Sequence, residues 1–179
     1  MALHWFPDNS LICNFAAVDE LDLLRASLHG AGRVVEAVAF EIERSTSRVP
    51  NLARLDLHDW FGPAIEFRDA VDQLQIEAVR TARFGGGDEK PLEHLGESQT
   101  LHLLRTRAEF AGSVWMSEDG GSLRVAGRMG IVTRGTRAVL EELVAFGEVT
   151  AQRACTIAVA IEQADRPILR MPTSSRDLS

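Results

Sequence analysis

The sequence predicts an α/β fold with a mostly parallel central sheet, and three observations carry that reading. Short apolar segments at 3–6, 33–35, 114–116 and 131–133 alternate with longer stretches of helical period. Glycine-rich or polar punctuation separates them, as at 30–32, 85–88 and 120–121. Strands joined through helices need crossover connections, which run the strands parallel and cover the sheet on both faces.

The elements follow in order. The first strand, 3–6, ends at Pro7 and the polar Asp8, Asn9 and Ser10, and Asp8 or Ser10 caps a helix over 11–18. Asp19 opens a second helix with Leu21, Leu24 and Leu28 on one face, closed by Gly30 and Gly32. That face packs in the core or serves a homodimer. After 33–35 a helix runs through Arg44, and 45–50 breaks it. The stretch 64–67 reads as a strand, 69–83 as a helix and 85–88 as a flexible loop. A helix over 96–110, the strand 114–116, a helix ending near Gly130, the strand 131–133 and helices over 137–146 and 151–164 complete the chain. One domain over 1–171 is expected, with 172–179 as a flexible tail.

Composition narrows the class. With 179 residues, 45% hydrophobic and 25% charged, the chain suits a globular domain and not a disordered or coiled-coil protein. The longest apolar run, 154–161, is too short for a membrane helix, and 1–7 lacks the pattern of a secretory signal. Cys13 and Cys155 do not form a disulfide framework, so a cytoplasmic protein with no membrane partner is expected. The net charge of −7 argues against a surface that attracts nucleic acid everywhere. It is uneven: residues 1–90 carry 9 basic and 15 acidic side chains, and residues 91–179 carry 10 and 11. Arg124, Arg128, Arg134 and Arg137 fall close together, and arginine suits phosphate oxygens.

Ligands of such sheets bind beyond the carboxyl ends of the strands. Asp8 follows the first strand, and Glu118-Asp119 follow 114–116. Glu97 begins an inward stripe with Leu101, Leu104 and Ala108. Glu41 sits one turn after the inward Ala37 and Val38; Glu36 and Glu43 have a comparable claim, and helical phase does not choose among the three. Each acid alone has a structural use, as a cap, a turn residue or a first-turn charge. Their convergence on one end of one sheet does not. At about 4 Å and an effective dielectric near 20, like charges repel by roughly 4 kcal/mol per pair. A bound cation relieves this, and oxygen-only ligands favour Mg²⁺ or Mn²⁺. Zinc is disfavoured because the histidines and cysteines lack its ligand spacing. No Gly-Lys-Ser/Thr follows Gly85-Gly86-Gly87, and no Gly-x-Ser-x-Gly elbow occurs. Ser10 stands where a haloacid-type phosphatase needs Asp, and the lone Lys90 lies far from a receiver domain's lysine position.

Taken together, five segments resemble the PIN-domain nucleases, and within them the VapC-type toxin ribonucleases. These are Phe6-Pro7-Asp8-Asn9-Ser10-Leu11-Ile12, the helix around Glu41, Leu95-Gly96-Glu97-Ser98, Met116-Ser117-Glu118-Asp119 and Arg134-Gly135-Thr136. The resemblance spans about residues 3–150 and implies a PIN-like three-layer α/β/α sandwich that cleaves RNA with Mg²⁺ or Mn²⁺. It implies that Asp8, Glu97 and Asp119 hold the metal, with Glu41 ligating directly or through water. Ser10, Glu118 and Thr136 would support them, Arg124, Arg128 or Arg134 would hold RNA phosphates, and a cognate antitoxin would be a partner. Two departures stand out: Glu118 replaces the usual Asp, and Ser122 stands where many members carry a further acid. A PIN-like protein without catalysis, engaging a basic partner through the same acids, is the alternative.

Overall fold

The computed structural model describes residues 3–87 and 89–178. Its sheet joins β1 (Trp5–Pro7), β2 (Val114–Met116) and β3 (Val132–Arg134), all parallel and in that spatial order. Trp5 is level with Val114 and Val114 with Val132. Beyond β1 the ladder continues through single bridges, Trp5 with Gly32 and Val35 with Ile65. The Arg33 N–H donates to Trp5 O at 2.8 Å, and Ile65 N–H to Val34 O at 2.9 Å. The chain thus steps outward from β1 on one side, then returns to lay β2 on the other. The order of strands reverses between β1 and β2, which is where an open parallel sheet leaves a crevice.

The α/β class holds, and the sheet is covered on both faces. Along β2, Val114 and Met116 join the main apolar cluster while Trp115 joins a second one with Leu101 and Ala126. The expected strands at 33–35 and 64–67 are reduced to isolated bridges. Val34 and Val35 are buried in the core, and β-branched residues report such packing more than ladder length. The last strand lies one residue later than 131–133, with Val132 on an exposed edge.

Helices α1 (Asn9–Ala17), α2 (Leu21–Ser27) and α3 (Glu36–Ser45) follow β1. The Asp8 side chain caps α1, accepting from Leu11 N–H at 3.0 Å. Leu21, Leu24 and Leu28 are all buried, so that face belongs to the core and offers no dimer surface. Past the break after α3, where periodicity gives no signal, the chain forms a 3-10 turn, Pro50–Arg54, and α4 (Leu57–Phe61), capped by Asp56. Helix α5 (Ala70–Val79), capped by Asp69, runs into a π-helical turn, Arg80–Phe84, which Gly85 ends at φ +76°.

Helix α6 (Leu95–Thr106) stops short of 110 because Arg107 turns extended, and a 3-10 turn, Ala108–Phe110, follows. Ala108 is therefore exposed and leaves the inward stripe. Helices α7 (Gly120–Arg128), α8 (Thr136–Ala145) and α9 (Ala151–Gln163) complete the layers. The expected flexible tail, 172–179, is described through residue 178 and folds back. It forms a 3-10 turn, Ser175–Leu178, and buries Leu178. Asp177 fixes this turn by accepting from Thr173 and Ser174, and these bonds lower its pKa. Among the described residues no helix is long and apolar enough to cross a membrane.

Candidate acidic site

Asp8 stands at the crevice because its backbone N–H donates to Met116 O at 2.8 Å, fixing it where β1 and β2 end. It is buried. Its Oδ1 accepts from Ser10 Oγ at 2.7 Å and from Leu11 N–H, while its Oδ2 accepts from Ser117 Oγ. Asp8 is therefore a helix cap and a candidate site acid at once. Burial pushes its pKa up to about 6, the three hydrogen bonds pull it back, and the Glu97 charge adds to the rise.

Glu41 reaches the same place from α3. Burial first, then the charges of Glu97 and Asp8, raise its pKa to about 7, against a hydrogen bond from the Gly96 backbone. Contacts distinguish the three glutamates left open by helical phase. Glu36 accepts from Phe67 N–H at 3.3 Å and Gln99 Nε2 at 3.1 Å, holding two segments together, and Glu43 is exposed. Glu97 lies in the first turn of α6, where the helix dipole favours a carboxylate, and its Oε1 is 3.4 Å from His94 Nδ1.

Gly96 lets these elements meet. A Cβ there would stand 2.9 Å from Val38 Cγ2 and 3.1 Å from Glu41 Oε1. Gly96→Ala is therefore expected to destabilise the fold by about 1–3 kcal/mol despite alanine's higher helix propensity. Urea denaturation checks this, and a more stable variant would show that α3 and α6 are not held at this contact.

Asp119 is half-buried and caps α7, its Oδ1 accepting from Ser122 N–H at 2.7 Å. Its own N–H donates to Ser117 Oγ at 3.0 Å. Ser117, not singled out from the sequence, is thus the hydroxyl that links Asp8 to Asp119. Ser122 Oγ is buried beside them and has no hydrogen-bond partner among the described residues. Ser10 holds two strand ends, donating to Asp8 and accepting from Glu118 N–H at 3.0 Å.

Glu118 faces elsewhere. Its Oε1 accepts from Thr136 N–H and its Oε2 from Leu169 N–H at 2.7 Å, so both oxygens are committed to structure. Thr136 is buried, and its Oγ1 accepts from Asn14 Nδ2 at 3.1 Å, tying α8 to α1. Of the arginines, Arg134 is held by Glu142 and by Thr133 O. Arg124 and Arg128 are exposed on α7.

The structure brings Asp8, Glu41 and Glu97 into electrostatic contact, with Asp119 joined to Asp8 through Ser117. In donor chemistry this all-oxygen set, with an unpartnered Ser122 hydroxyl beside it, fits a hard divalent cation. In spacing, no three His, Cys, Asp or Glu side chains among the described residues are gathered closely enough to hold an ion as they stand. Compared with family models, with curated proteins and with solved structures, the chain matches none.

Proposed function

We propose that this chain is a metal-dependent endoribonuclease of the PIN-like kind that its sequence resembles, acting in the crevice between the ends of β1 and β2. One observation carries the reading. Carboxylates from three separate elements, Asp8, Glu41 and Glu97, act on one another near the strand-order reversal of a parallel sheet, and their mutual repulsion adds to the raised pKa of Asp8 and Glu41. Above neutral pH their charge is unbalanced, and an oxygen-only set selects Mg²⁺ or Mn²⁺ as its counter-charge. When bound, such an ion supplies a water of lowered pKa and neutralises charge on the scissile phosphate.

The residues of this chain supply position. Ser10, Leu11 and Ser117 fix the Asp8 carboxylate, and Ser117 keeps Asp119 on the same loop. Gly96 sets the Glu41 carboxylate against the start of α6, one residue from Glu97. In the toxin reading, an antitoxin arginine would complement the same three charges.

The spacing of the acids favours a second reading, an acidic pocket that engages a basic partner without catalysis. Melting in EDTA and in rising Mn²⁺, on wild type and Asp119→Asn, separates the two. The nuclease reading expects a saturable rise in wild type that the variant loses. Binding to the folded state alone adds about 2.7 kcal/mol at a hundredfold excess over Kd. No shift at millimolar Mn²⁺ would rule out the nuclease and leave the binding protein.

A further inference from the structure

Beside the acidic crevice lies a cleft of about 640 Å³, between the starts of α7 and α8 and the returning C-terminal segment. Gly120, Arg124, Gly135, Arg137, Leu169 and Arg170 form its working surface, and Glu141 also lines it. Its volume falls within the range of ligand pockets.

Among the residues that line this cleft, arginines outnumber the one carboxylate, Glu141. Arg137 is occupied: its Nε meets Glu141 at 2.7 Å, and its other nitrogens donate to the carbonyls of Arg170 at 3.2 Å and Asp177 at 2.9 Å. Arg137 therefore neutralises the lining carboxylate and anchors the C-terminal wall. Arg124 and Arg170 are exposed, and among the described residues neither guanidinium has an ion pair or a hydrogen bond. Two unpaired cations thus border one cleft on a chain whose net charge is −7. The wall that carries Arg170 is itself built: Arg170 adopts φ +58°, with its carbonyl on Arg137, and Leu169 N–H is held by Glu118.

The cleft adjoins the acids directly. Gly120 follows Asp119, and a Cβ at Gly135 would stand 3.1 Å from Glu118 Oε1, so the loop after β2 runs along the cleft. The first turn of α8 lies along the cleft, its Thr136 N–H already held by Glu118, so the two arginines are what the cleft offers an anion. Planar guanidinium pairs suit the tetrahedral oxygens of phosphate.

We infer that this cleft binds a phosphate group, and that the phosphate belongs to a single-stranded RNA whose neighbouring linkage lies at Asp8, Glu41 and Glu97. The second half rests on the function proposed above; the phosphate site itself does not. The strand enters along α7 and α8, and the C-terminal segment completes its binding surface. Arg134 takes no part, being held by Glu142.

Binding of inorganic phosphate and of a short labelled single-stranded RNA, both measured in EDTA, tests this without cleavage or metal. The proteins are wild type, Arg124→Gln/Arg170→Gln, and the charge-matched Arg48→Gln/Arg105→Gln, whose arginines are exposed and outside the cleft. The cleft variant should bind both ligands at least tenfold more weakly, and the control should bind as wild type. The slope of log K against log salt for RNA should shrink by about 1.4, or about 0.7 for each lost contact. Equal binding by wild type and the cleft variant overturns the site, and so does an equal loss in the control. Loss of phosphate binding with RNA binding intact overturns the strand assignment alone. Because no metal is present, failure of the Mn²⁺ melting experiment is read separately.

Discussion

Asp8→Asn is expected to lower Mn²⁺-dependent RNA cleavage by at least about 10³-fold, some 4 kcal/mol of barrier, and at pH 8 to melt higher than wild type. The stability gain follows from the direction in which folding moves the Asp8 pKa. The folded chain holds it up at about 6, above the ordinary 3.8, so folding favours the protonated form. Stability is fully present below the ordinary value and is lost as pH rises through 6. By pH 8 the rise withholds on the order of 3 kcal/mol, and asparagine restores it. The cap survives the change, because an amide oxygen can still accept from Ser10 Oγ and Leu11 N–H. Ser117 Oγ can rotate to accept from the new amide. Removing this charge also relieves Glu41, whose rise to about 7 owes part of its size to Asp8. Near pH 4 the stability advantage should vanish. Thermal melts at the two pH values and a cleavage assay check both halves. Wild-type activity in the variant would remove Asp8 from the site, and a variant less stable at pH 8 would show that capping outweighs the buried charge.

The order of elements is legible in the sequence because helix periodicity and caps are local. Asp8, Asp69 and Thr150 precede apolar runs and do cap helices. What stays hidden is decided by distant partners. Nothing in 33–35 says that only Val35 and the neighbouring Gly32 form bridges, since its valines are explained equally by core packing. The segment 172–178 reads as polar and unstructured because a single side chain, Leu178, anchors it. The acids divide in the same way. Asp8 and Asp119 are visible because each closely follows an apolar strand. Glu41 needs the third dimension: the close approach of Gly96, the bonds that occupy Glu36 and the exposure of Glu43 separate the three. Glu118, adjacent to Asp119 and chemically alike, turns the other way at the bend after β2, and no periodic signal announces that its partners are Thr136 and Leu169.

Glu118 therefore gives the second large effect, and one opposite in kind to that of Asp8. Glu118→Ala is expected to destabilise the fold by about 3–5 kcal/mol, since it deletes two charge-assisted bonds and leaves the buried Thr136 N–H without a partner. Glu118→Gln should cost roughly half as much, about 2 kcal/mol, because its carbonyl can serve one N–H while its amide opposes the other. The loss should be local before it is global. Leu169 is the point at which the C-terminal segment is fastened to the loop after β2, so trypsin should cut after Arg170 faster in both variants than in wild type. Mn²⁺ should still raise the melting temperature of Glu118→Gln, because the acids that face the crevice are untouched. A Glu118→Gln variant that keeps wild-type stability and protease resistance but loses the Mn²⁺ response would make Glu118 a metal ligand instead. In that case the loop after β2 would have to turn this side chain into the crevice when an ion binds, releasing Thr136 and Leu169, and the C-terminal wall of the arginine cleft would loosen with it.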